Sequence, residues 1–238
     1  MKWEIHRAML RAKMWMEDLL FPEATCLCCG CAPQEALAAG LCERCLEALE
    51  VQRLRQEEHG DGECPKELAF VHAAFAYEDP AKRLIWLLKY DRVKSAAQPL
   101  IDAMAMLPSG EEELIVPVPT TKKRLKERGF NQSLLLAQGI GKRLGMEVCD
   151  ALTRIGEQRA QSSLTGQARR NNLAGCMRAQ MRLDGKKILL VDDVYTTGAT
   201  AREAARALYE AGAASVGVFA AARADGAQED PPFLSFGR

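Results

Sequence analysis

The sequence has no net charge and no long apolar run. Its 32 basic residues balance 32 acidic ones, so no overall field draws the chain toward nucleic acid or an anionic membrane. No stretch approaches the roughly 18–20 apolar residues that a membrane-spanning helix needs. The charged segment from Met1 to Phe21 also lacks the apolar core of a secretory signal. We therefore expect a cytoplasmic protein whose affinity for anions, if any, is local.

Histidine is scarce, and two common nucleotide motifs are missing. The three histidines, His6, His59 and His72, belong to none of the motifs described below. A Ser–His or Cys–His nucleophilic mechanism therefore has little support. The chain contains neither the lysine-bearing phosphate loop of nucleoside triphosphatases nor a Gly-x-Gly-x-x-Gly turn. Nucleoside triphosphate and dinucleotide sites are accordingly not expected.

Cysteine, in contrast, is abundant, with nine residues of which six lie between positions 26 and 45. In a reducing compartment, clustered cysteines suggest a metal site before they suggest disulfides. Two Cys-x-x-Cys pairs separated by twelve residues are typical of a closed, structural Zn²⁺ site. Spacing alone leaves an offset pair, Cys28 and Cys31, as an alternative. The predicted zinc ligands are Cys26, Cys29, Cys42 and Cys45.

Composition divides the chain into five segments. A leading amphipathic helix and a cysteine module with a short helix over 43–50 come first, followed by a charged linker. Apolar runs that alternate with helical patterns then predict a parallel sheet covered on both faces. The predicted boundaries are 1–24 for the leading helix, 25–50 for the cysteine module, 51–66 for the linker, 67–225 for the main domain and 226–238 for a frayed tail.

The apolar run of residues 188–191 is followed at once by two acids, Asp192 and Asp193, and then by a hydroxyl-rich turn before a helix. In an open parallel sheet, ligands bind beyond the carboxyl ends of the strands. Acids there can accept hydrogen bonds from a ribose diol, while hydroxyls and backbone N–H groups at a helix start suit a monophosphate. A helix cap would explain one threonine but not the acid pair. The predicted turn residues are Thr196, Thr197, Gly198, Ala199 and Thr200.

Residues from about 20 to 222 resemble the ComF family of competence-associated proteins, within the type I phosphoribosyltransferases. The acid pair and its turn carry the likeness to the larger group. Arg-Gly-Phe-Asn-Gln at 128–132, after Val-Pro-Val-Pro at 116–119, narrows it to the family. The family's glycine after the second cysteine favours the pair Cys26 and Cys29. Further marks are Leu-Lys-Tyr at 88–90, Gln161, Arg169, Asn172 and Leu173, whereas Met177 stands where the family usually has Phe.

The resemblance implies an α/β fold, a type I phosphoribosyltransferase-like parallel sheet flanked by helices and preceded by a small zinc-ribbon-like module. It implies binding of phosphoribosyl pyrophosphate with Mg²⁺ and attack at the anomeric carbon of the ribose. It also implies a link to natural transformation, with a helicase-like ATPase and single-stranded DNA as partners to test. Residues 153–172, polar and aperiodic, lie where the mobile lid of these enzymes would be.

A basic stretch, residues 120–131, begins just after the predicted strand that ends at Val118, and it contains Arg128. We predict that Arg128 binds the diphosphate and that the loop of Val118, Pro119 and Thr120 cradles it. Lys89 is a further phosphate candidate. The alternatives are a solvated basic helix for the stretch and a lysine favoured by a helix C-terminus for Lys89.

Three functions remain open from the sequence. The first is a ComF-type protein of DNA uptake, and the second is a salvage or synthesis enzyme that makes a nucleotide from a free base. The third is a non-enzymatic sensor or adaptor. Salvage enzymes read their base near the last strands, but residues 219–223 offer no aromatic or acidic side chain for this role. The acceptor cannot be assigned from the sequence.

Overall fold

A computed structural model of the protein describes residues 25–31, 39–59, 64–155 and 175–224. The predicted leading helix, most of the predicted lid and the predicted tail lie outside these residues. Over the described residues, no helix combines the length and the apolarity needed to cross a membrane.

Five parallel strands form the central sheet, in the order β1-β7-β6-β2-β3. A two-stranded antiparallel hairpin, β4-β5, lies beside it. The middle strands are wholly apolar along their buried stretches, as expected for a sheet covered on both faces. The strands are β1 Val71–Ala76, β2 Leu114–Pro117, β3 Glu147–Val148, β4 Leu152–Arg154, β5 Met177–Ala179, β6 Lys187–Tyr195 and β7 Ser215–Arg223.

Helices cover both faces of the sheet, and one apolar core lies on each side. One core is formed with α2, α3 and α5, and the other with α6 and the hairpin. The parallel α/β architecture predicted from the sequence is therefore present. The α-helices are α1 Glu43–His59, α2 Ala81–Trp86, α3 Ala97–Met104, α4 Lys122–Arg128, α5 Gln132–Leu144 and α6 Ala199–Glu210.

Helix α1 is longer than the sequence suggested. The predicted helix over 43–50 continues to His59, into the segment predicted as a linker. The charged residues that argued for a linker are also good helix formers, and Arg53 pairs with Glu50 one turn earlier. Gln52 fastens the helix to the main domain by donating to the carbonyl oxygens of Ala76 (3.0 Å) and Glu78 (3.1 Å).

The helix that begins at Ala81 changes its hydrogen-bonding pattern before it ends. Its α-helical part stops at Trp86, and residues Leu87–Asp91 form one π-helical turn closed by Arg92 in the left-handed region. Such turns are rare in soluble proteins and are frequent at functional sites. This turn carries Lys89.

The cysteine module packs into the main apolar core and does not stand apart from it. Cys26, Leu41 and Leu49 are buried in the same cluster as the helices on one face of the sheet. The backbone N–H of Leu27 donates to the carbonyl oxygen of Gly40, which joins the two halves of the module. Loss of order in the module would therefore expose part of the main core.

Candidate functional site

A cavity of about 280 Å³ lies beyond the carboxyl ends of β2 and β6. This is where an open parallel sheet binds its ligands. It brings together most of the predicted site residues with several that the sequence analysis did not select. The lining includes Lys89, Val118, Pro119, Thr120, Arg128, Gln132, Ser133, Arg154, Asp192, Asp193, Thr196 and Thr200.

The acid pair ends the long strand β6, and its two carboxyl groups have different partners. Asp192 Oδ1 accepts hydrogen bonds from the hydroxyl of Ser133 (3.0 Å) and from the backbone N–H of Asp193 (2.8 Å). Asp193 Oδ1 lies 3.3 Å from Lys89 Nζ, and both side chains are largely buried, 15% and 12% exposed. The two acids thus have different partners, which are neutral donors for Asp192 and a cation for Asp193.

The pKa of Asp192 is raised to about 7, first because burial penalises its charged form and second because the carboxylate of Asp193 lies beside it. The hydrogen bonds from Asp193 N–H and Ser133, together with the charge of Lys89, oppose that rise. A carboxyl group with this pKa changes protonation near neutral pH. Perturbed carboxyl groups of this kind in a cleft are typical of functional sites.

The predicted phosphate turn leads into α6. Gly198 precedes the helix with φ of 71°, and a Cβ placed there would lie 2.3 Å from the hydroxyl oxygen of Tyr195. Only glycine fits this position without movement. Thr196 and Thr200 line the cavity, whereas Thr197, Gly198 and Ala199 do not. Those three residues shape the turn and the helix start.

The opposite wall of the cavity is the loop after β2, and two side chains hold its carbonyl groups. Asn131 Nδ2 donates to the carbonyl oxygen of Val118 (3.1 Å), and Arg154 Nε donates to that of Pro119 (2.9 Å). The backbone N–H of Val118 donates to the carbonyl oxygen of Val191 (2.9 Å), and Pro119 has no N–H. The loop that was predicted to cradle a diphosphate is therefore braced from two sides.

Arg128 ends the basic helix α4, in which no residue is buried. Its Nη1 donates to Gln132 Oε1 at 3.0 Å, and its guanidinium lies 5.4 Å from the centre of the Tyr90 ring. Helix α4 is thus a solvated basic helix, as the alternative interpretation of this stretch had it. The helix also places Arg128 and Arg124 at the cavity. Lys89 lies in the last turn of its helix, as the alternative had it, and its Nζ also lies 3.3 Å from Asp193 Oδ1 in a largely buried pair.

The site residues that were not selected from the sequence include Gln132, Ser133 and Arg154. Gln132 is the last residue of the family motif Arg-Gly-Phe-Asn-Gln, so the sequence did contain a signal for it. Ser133 follows the motif, and no sequence motif marks it. Arg154 lay in the stretch predicted as a lid but forms the end of β4. The rest of the predicted lid, residues 156–172, lies outside the described residues.

The hairpin that carries Arg154 is tied to the helix of the phosphate turn. Glu203 on α6 is 5% exposed, and its Oε1 accepts from the backbone N–H of Met177 at 3.1 Å. Arg206 donates to the Met177 carbonyl oxygen (3.2 Å) and to Glu203 (2.8 Å). These polar groups on α6 satisfy the backbone of β5 and connect two walls of the site.

The four predicted metal ligands converge in the cysteine module. The Sγ atoms of Cys26, Cys29, Cys42 and Cys45 all lie within 4.8 Å of one another. Thiolates around a tetrahedral Zn²⁺ are roughly 3.8 Å apart, given Zn–S bonds of about 2.3 Å. The pKa of the Cys29 thiol is lowered to about 6, chiefly by a backbone hydrogen bond from Cys31, whereas burial and the neighbouring thiols raise the pKa of Cys45. The four thiols therefore suit a structural Zn²⁺ ion.

The offset pair is split by the fold. The Sγ atom of Cys28 is not in the group of four and lies 3.7 Å from the carbonyl oxygen of Pro80, and burial raises its pKa to about 11. Cys31 is exposed, and its Sγ lies 3.3 Å from that of Cys29, at the edge of the group. Cys28 thus contacts the carbonyl oxygen of Pro80, whereas Cys31 lies beside one of the four thiols, Cys29.

Comparison with known proteins agrees with this geometry. A model of the phosphoribosyl transferase domain matches residues 131–233. The DNA utilization protein YhgH of Escherichia coli O157:H7 is 34% identical over 156 residues, which cover 62% of this chain and 69% of that protein. Competence protein ComFC of Bacillus subtilis is 38% identical over 110 residues, 44% of this chain and 42% of ComFC. The chain belongs to the ComF family.

Among solved structures, the ComF chain is similar to glutamine phosphoribosylpyrophosphate amidotransferase from Bacillus subtilis. The likeness has 22% identity and a TM-score of 0.44, and it covers 59% of this chain and 30% of that enzyme. The predicted fold class is confirmed: the ComF domain has the parallel sheet and flanking helices of type I phosphoribosyltransferases.

Proposed function

We propose that the cavity binds phosphoribosyl pyrophosphate with Mg²⁺ and that the protein transfers the phosphoribosyl group to an acceptor. One observation carries the proposal. The acid pair of β6 with the turn that follows it, and Arg128 from a separate part of the chain, line or border one cavity. The acid pair can accept hydrogen bonds from a sugar diol, the turn suits a monophosphate, and Arg128 suits a diphosphate.

The acid pair is assigned to the ribose hydroxyls. Asp192 and Asp193 keep oxygen atoms that accept hydrogen bonds, and the strand end directs them into the cavity. The 5-phosphate is assigned to the turn at Thr196–Thr200, because the exposed N–H groups and the dipole at the start of α6 favour an anion. A ribose 5-phosphate would thus lie along the end of β6.

The diphosphate is assigned to the braced loop of Val118, Pro119 and Thr120 and to Arg128. Lys89 is close enough to the cavity to exchange its partner, Asp193, for a phosphate oxygen when the ligand enters. That exchange would leave Asp193 to the ribose or to a cation. Charge neutralisation of the leaving group is the main demand that this reaction makes on a protein.

The oxygen-rich acid pair suits Mg²⁺, which prefers carboxylate, phosphate and water oxygens. Asp192 and Asp193 would hold it from the protein side, with most ligands coming from the diphosphate, the ribose and water. When bound, the ion would neutralise the diphosphate. Zn²⁺ is proposed separately for the four cysteines, as a structural ion.

Transfer would proceed through an oxocarbenium-like state, with the pyrophosphate leaving and a nucleophile taking its place. The chain would fix the sugar by its hydroxyls and phosphate, hold the leaving group and limit the access of water. No general base is required of a side chain by this assignment. The work of the site is positioning and electrostatic stabilisation.

Binding without turnover is the second function, favoured by one observation. Ala220, Ala221 and Ala222, at the place where salvage enzymes read a base, are fully buried. They form part of the core and offer no surface to an acceptor. A sensor of the sugar diphosphate would need only the part of the site that binds the ribose and its phosphates.

The relatives named for DNA utilization and competence support a role in DNA uptake or use. We propose this role, with single-stranded DNA and a helicase-like ATPase as partners to be tested. We also propose a cytoplasmic location, where clustered thiols stay reduced and available to a metal.

Calorimetry with phosphoribosyl pyrophosphate and Mg²⁺ tests the binding half of the proposal. The parent should bind, and the double variant Asp192→Asn, Asp193→Asn should not. Release of pyrophosphate, followed with and without a panel of bases and amines, separates an enzyme from a sensor. No heat with the parent, or equal affinity in the double variant, would show that the cavity has been misassigned.

A further inference from the structure

The side chain of Gln132, the first residue of α5, has an unused donor in the site. It is 2% exposed and lines the cavity. Its Oε1 accepts from Arg128 Nη1 at 3.0 Å. Among the described residues, its buried Nε2 has no hydrogen-bond partner. The contact with Arg128 fixes which way the amide faces, because a flipped amide would oppose N–H donors with N–H donors.

A buried amide donor without a partner is costly, and native proteins rarely keep one unless a ligand or water completes it. Here the donor is beside the guanidinium of Arg128, so the group that completes it should be an acceptor that tolerates a nearby cation. An anionic oxygen meets both conditions. A hydroxyl would meet only the first.

The position of Gln132 indicates which anion. Its neighbours Asn131 and Ser133 hold the Val118 carbonyl and Asp192, on opposite walls of the cavity. Gln132 itself lies with Arg128, on the side of the braced loop rather than the turn that opens α6. This is the side to which the diphosphate was assigned.

We propose that Gln132 is a binding residue for the diphosphate, an inference that rests on the proposed function. Its Nε2 donates to a diphosphate oxygen while its Oε1 holds Arg128 toward the same group. The alternative is that Gln132 does not touch the ligand and only positions Arg128. The two readings differ in whether Gln132 still matters once Arg128 has been removed.

The test measures binding to the full-length protein, with Mg²⁺, of phosphoribosyl pyrophosphate, inorganic pyrophosphate and ribose 5-phosphate. Gln132→Met keeps the size of the side chain and removes its donor. It should weaken both diphosphate ligands by about tenfold or more, as for a lost hydrogen bond to a charged group. Ribose 5-phosphate should bind as it does to the parent.

A double-mutant cycle with Arg128→Met separates the two readings. If Gln132 is a ligand, Gln132→Met still weakens pyrophosphate several-fold in the Arg128→Met background. If the loss vanishes there, Gln132 acts only through Arg128 and the proposal is overturned. Gln138→Met is the matched control, because Gln138 is exposed on the same helix and does not line this cavity.

Folding is checked by the thermal midpoint of each variant, and Gln132→Glu provides a second route if Gln132→Met unfolds. Glutamate keeps an acceptor for Arg128 but has no donor, so it should fold and still lose the diphosphate. Equal affinity of parent and Gln132→Met for pyrophosphate overturns this inference alone. A parent that binds Mg²⁺ pyrophosphate but not the sugar diphosphate overturns the proposed function alone, and a parent that binds neither overturns both.

Discussion

Ser133 and Asp192 are 59 positions apart in the chain, and the hydroxyl of Ser133 donates to Asp192 Oδ1 at 3.0 Å. The bond links the start of α5 to the acid that ends the apolar run of β6. It also lowers the pKa of Asp192 against the larger effects of burial and of the Asp193 charge. One hydroxyl thus adjusts the charge of the proposed sugar site near neutral pH.

Ser133→Ala should destabilise the protein by about 1 kcal/mol, because a part-buried hydrogen bond is lost. It should also raise the pKa of Asp192 further. Urea unfolding at several pH values measures both effects. Ser95→Ala, at an exposed position, is the control and should change neither. Unchanged stability in Ser133→Ala would mean that the hydroxyl contributes nothing in solution.

The contribution of Asp192 to the stability of the protein should fall as pH rises from about 4 to about 7. The pKa of Asp192 in the folded protein, about 7, is above the ordinary value of 3.8. The folded state therefore holds more protons than the unfolded state between those values, and the stabilisation is lost as pH rises. Asp192→Asn should remove this part of the slope and be more stable at pH 8, by about 0.5–2 kcal/mol.

Binding of the sugar diphosphate with Mg²⁺ should show the opposite trend, because the ionised form of Asp192 is the better acceptor and cation ligand. With a pKa of about 7, affinity should rise about tenfold from pH 6 to pH 8. Calorimetry across this range measures it. The ligand titrates there too, so Ser133→Ala is the internal comparison, and its midpoint should move to higher pH.

Gly198→Ala should impair both folding and phosphate binding. The substitution places a Cβ 2.3 Å from the Tyr195 hydroxyl at a residue with φ of 71°. Gly145→Ala is a matched control, with φ of 68° and nothing within 4 Å of the new Cβ. The control should lose about 1 kcal/mol from backbone strain, and Gly198→Ala should lose more and bind ribose 5-phosphate poorly. Equal losses in the two variants would argue against a tight turn at Gly198.

Cys29→Ser should lose zinc and destabilise the protein, whereas Cys28→Ser should keep a full complement of metal. Cys29 belongs to the converging group, and Cys28 faces the carbonyl oxygen of Pro80. Metal content by mass spectrometry and the thermal midpoint of each variant test this. Because Cys26 and Leu49 are buried in the main core, a chelator should lower the melting temperature of the whole protein.

Retention of zinc by Cys29→Ser would contradict the assignment unless Cys31 replaces the lost thiolate. The double variant Cys29→Ser, Cys31→Ser decides between these outcomes. If that variant also retains zinc, the metal is held elsewhere.

The order of strand, acid pair and turn was readable from the sequence because all its parts are contiguous. Residues 188–200 adopt the predicted strand, turn and helix, with the strand extending through the acids to Tyr195. The cysteine pairs were readable for the same reason, since each Cys-x-x-Cys fits one tight turn. Local spacing was sufficient for these predictions. The family resemblance then selected Cys26 and Cys29, rather than Cys28 and Cys31, as the first pair.

Tertiary structure alone decided which distant side chains meet. The partners Lys89–Asp193, Ser133–Asp192 and Arg154–Pro119 come from separate segments, and no periodic pattern marks them. The buried donor of Gln132 and the contact of Cys28 with Pro80 likewise depend on the packing of whole elements. Sequence determined the chemistry available at each strand end, because neighbouring residues constrain one another directly. The pairing of those groups across the cavity required the sheet order, which sets their distances only once the core has packed.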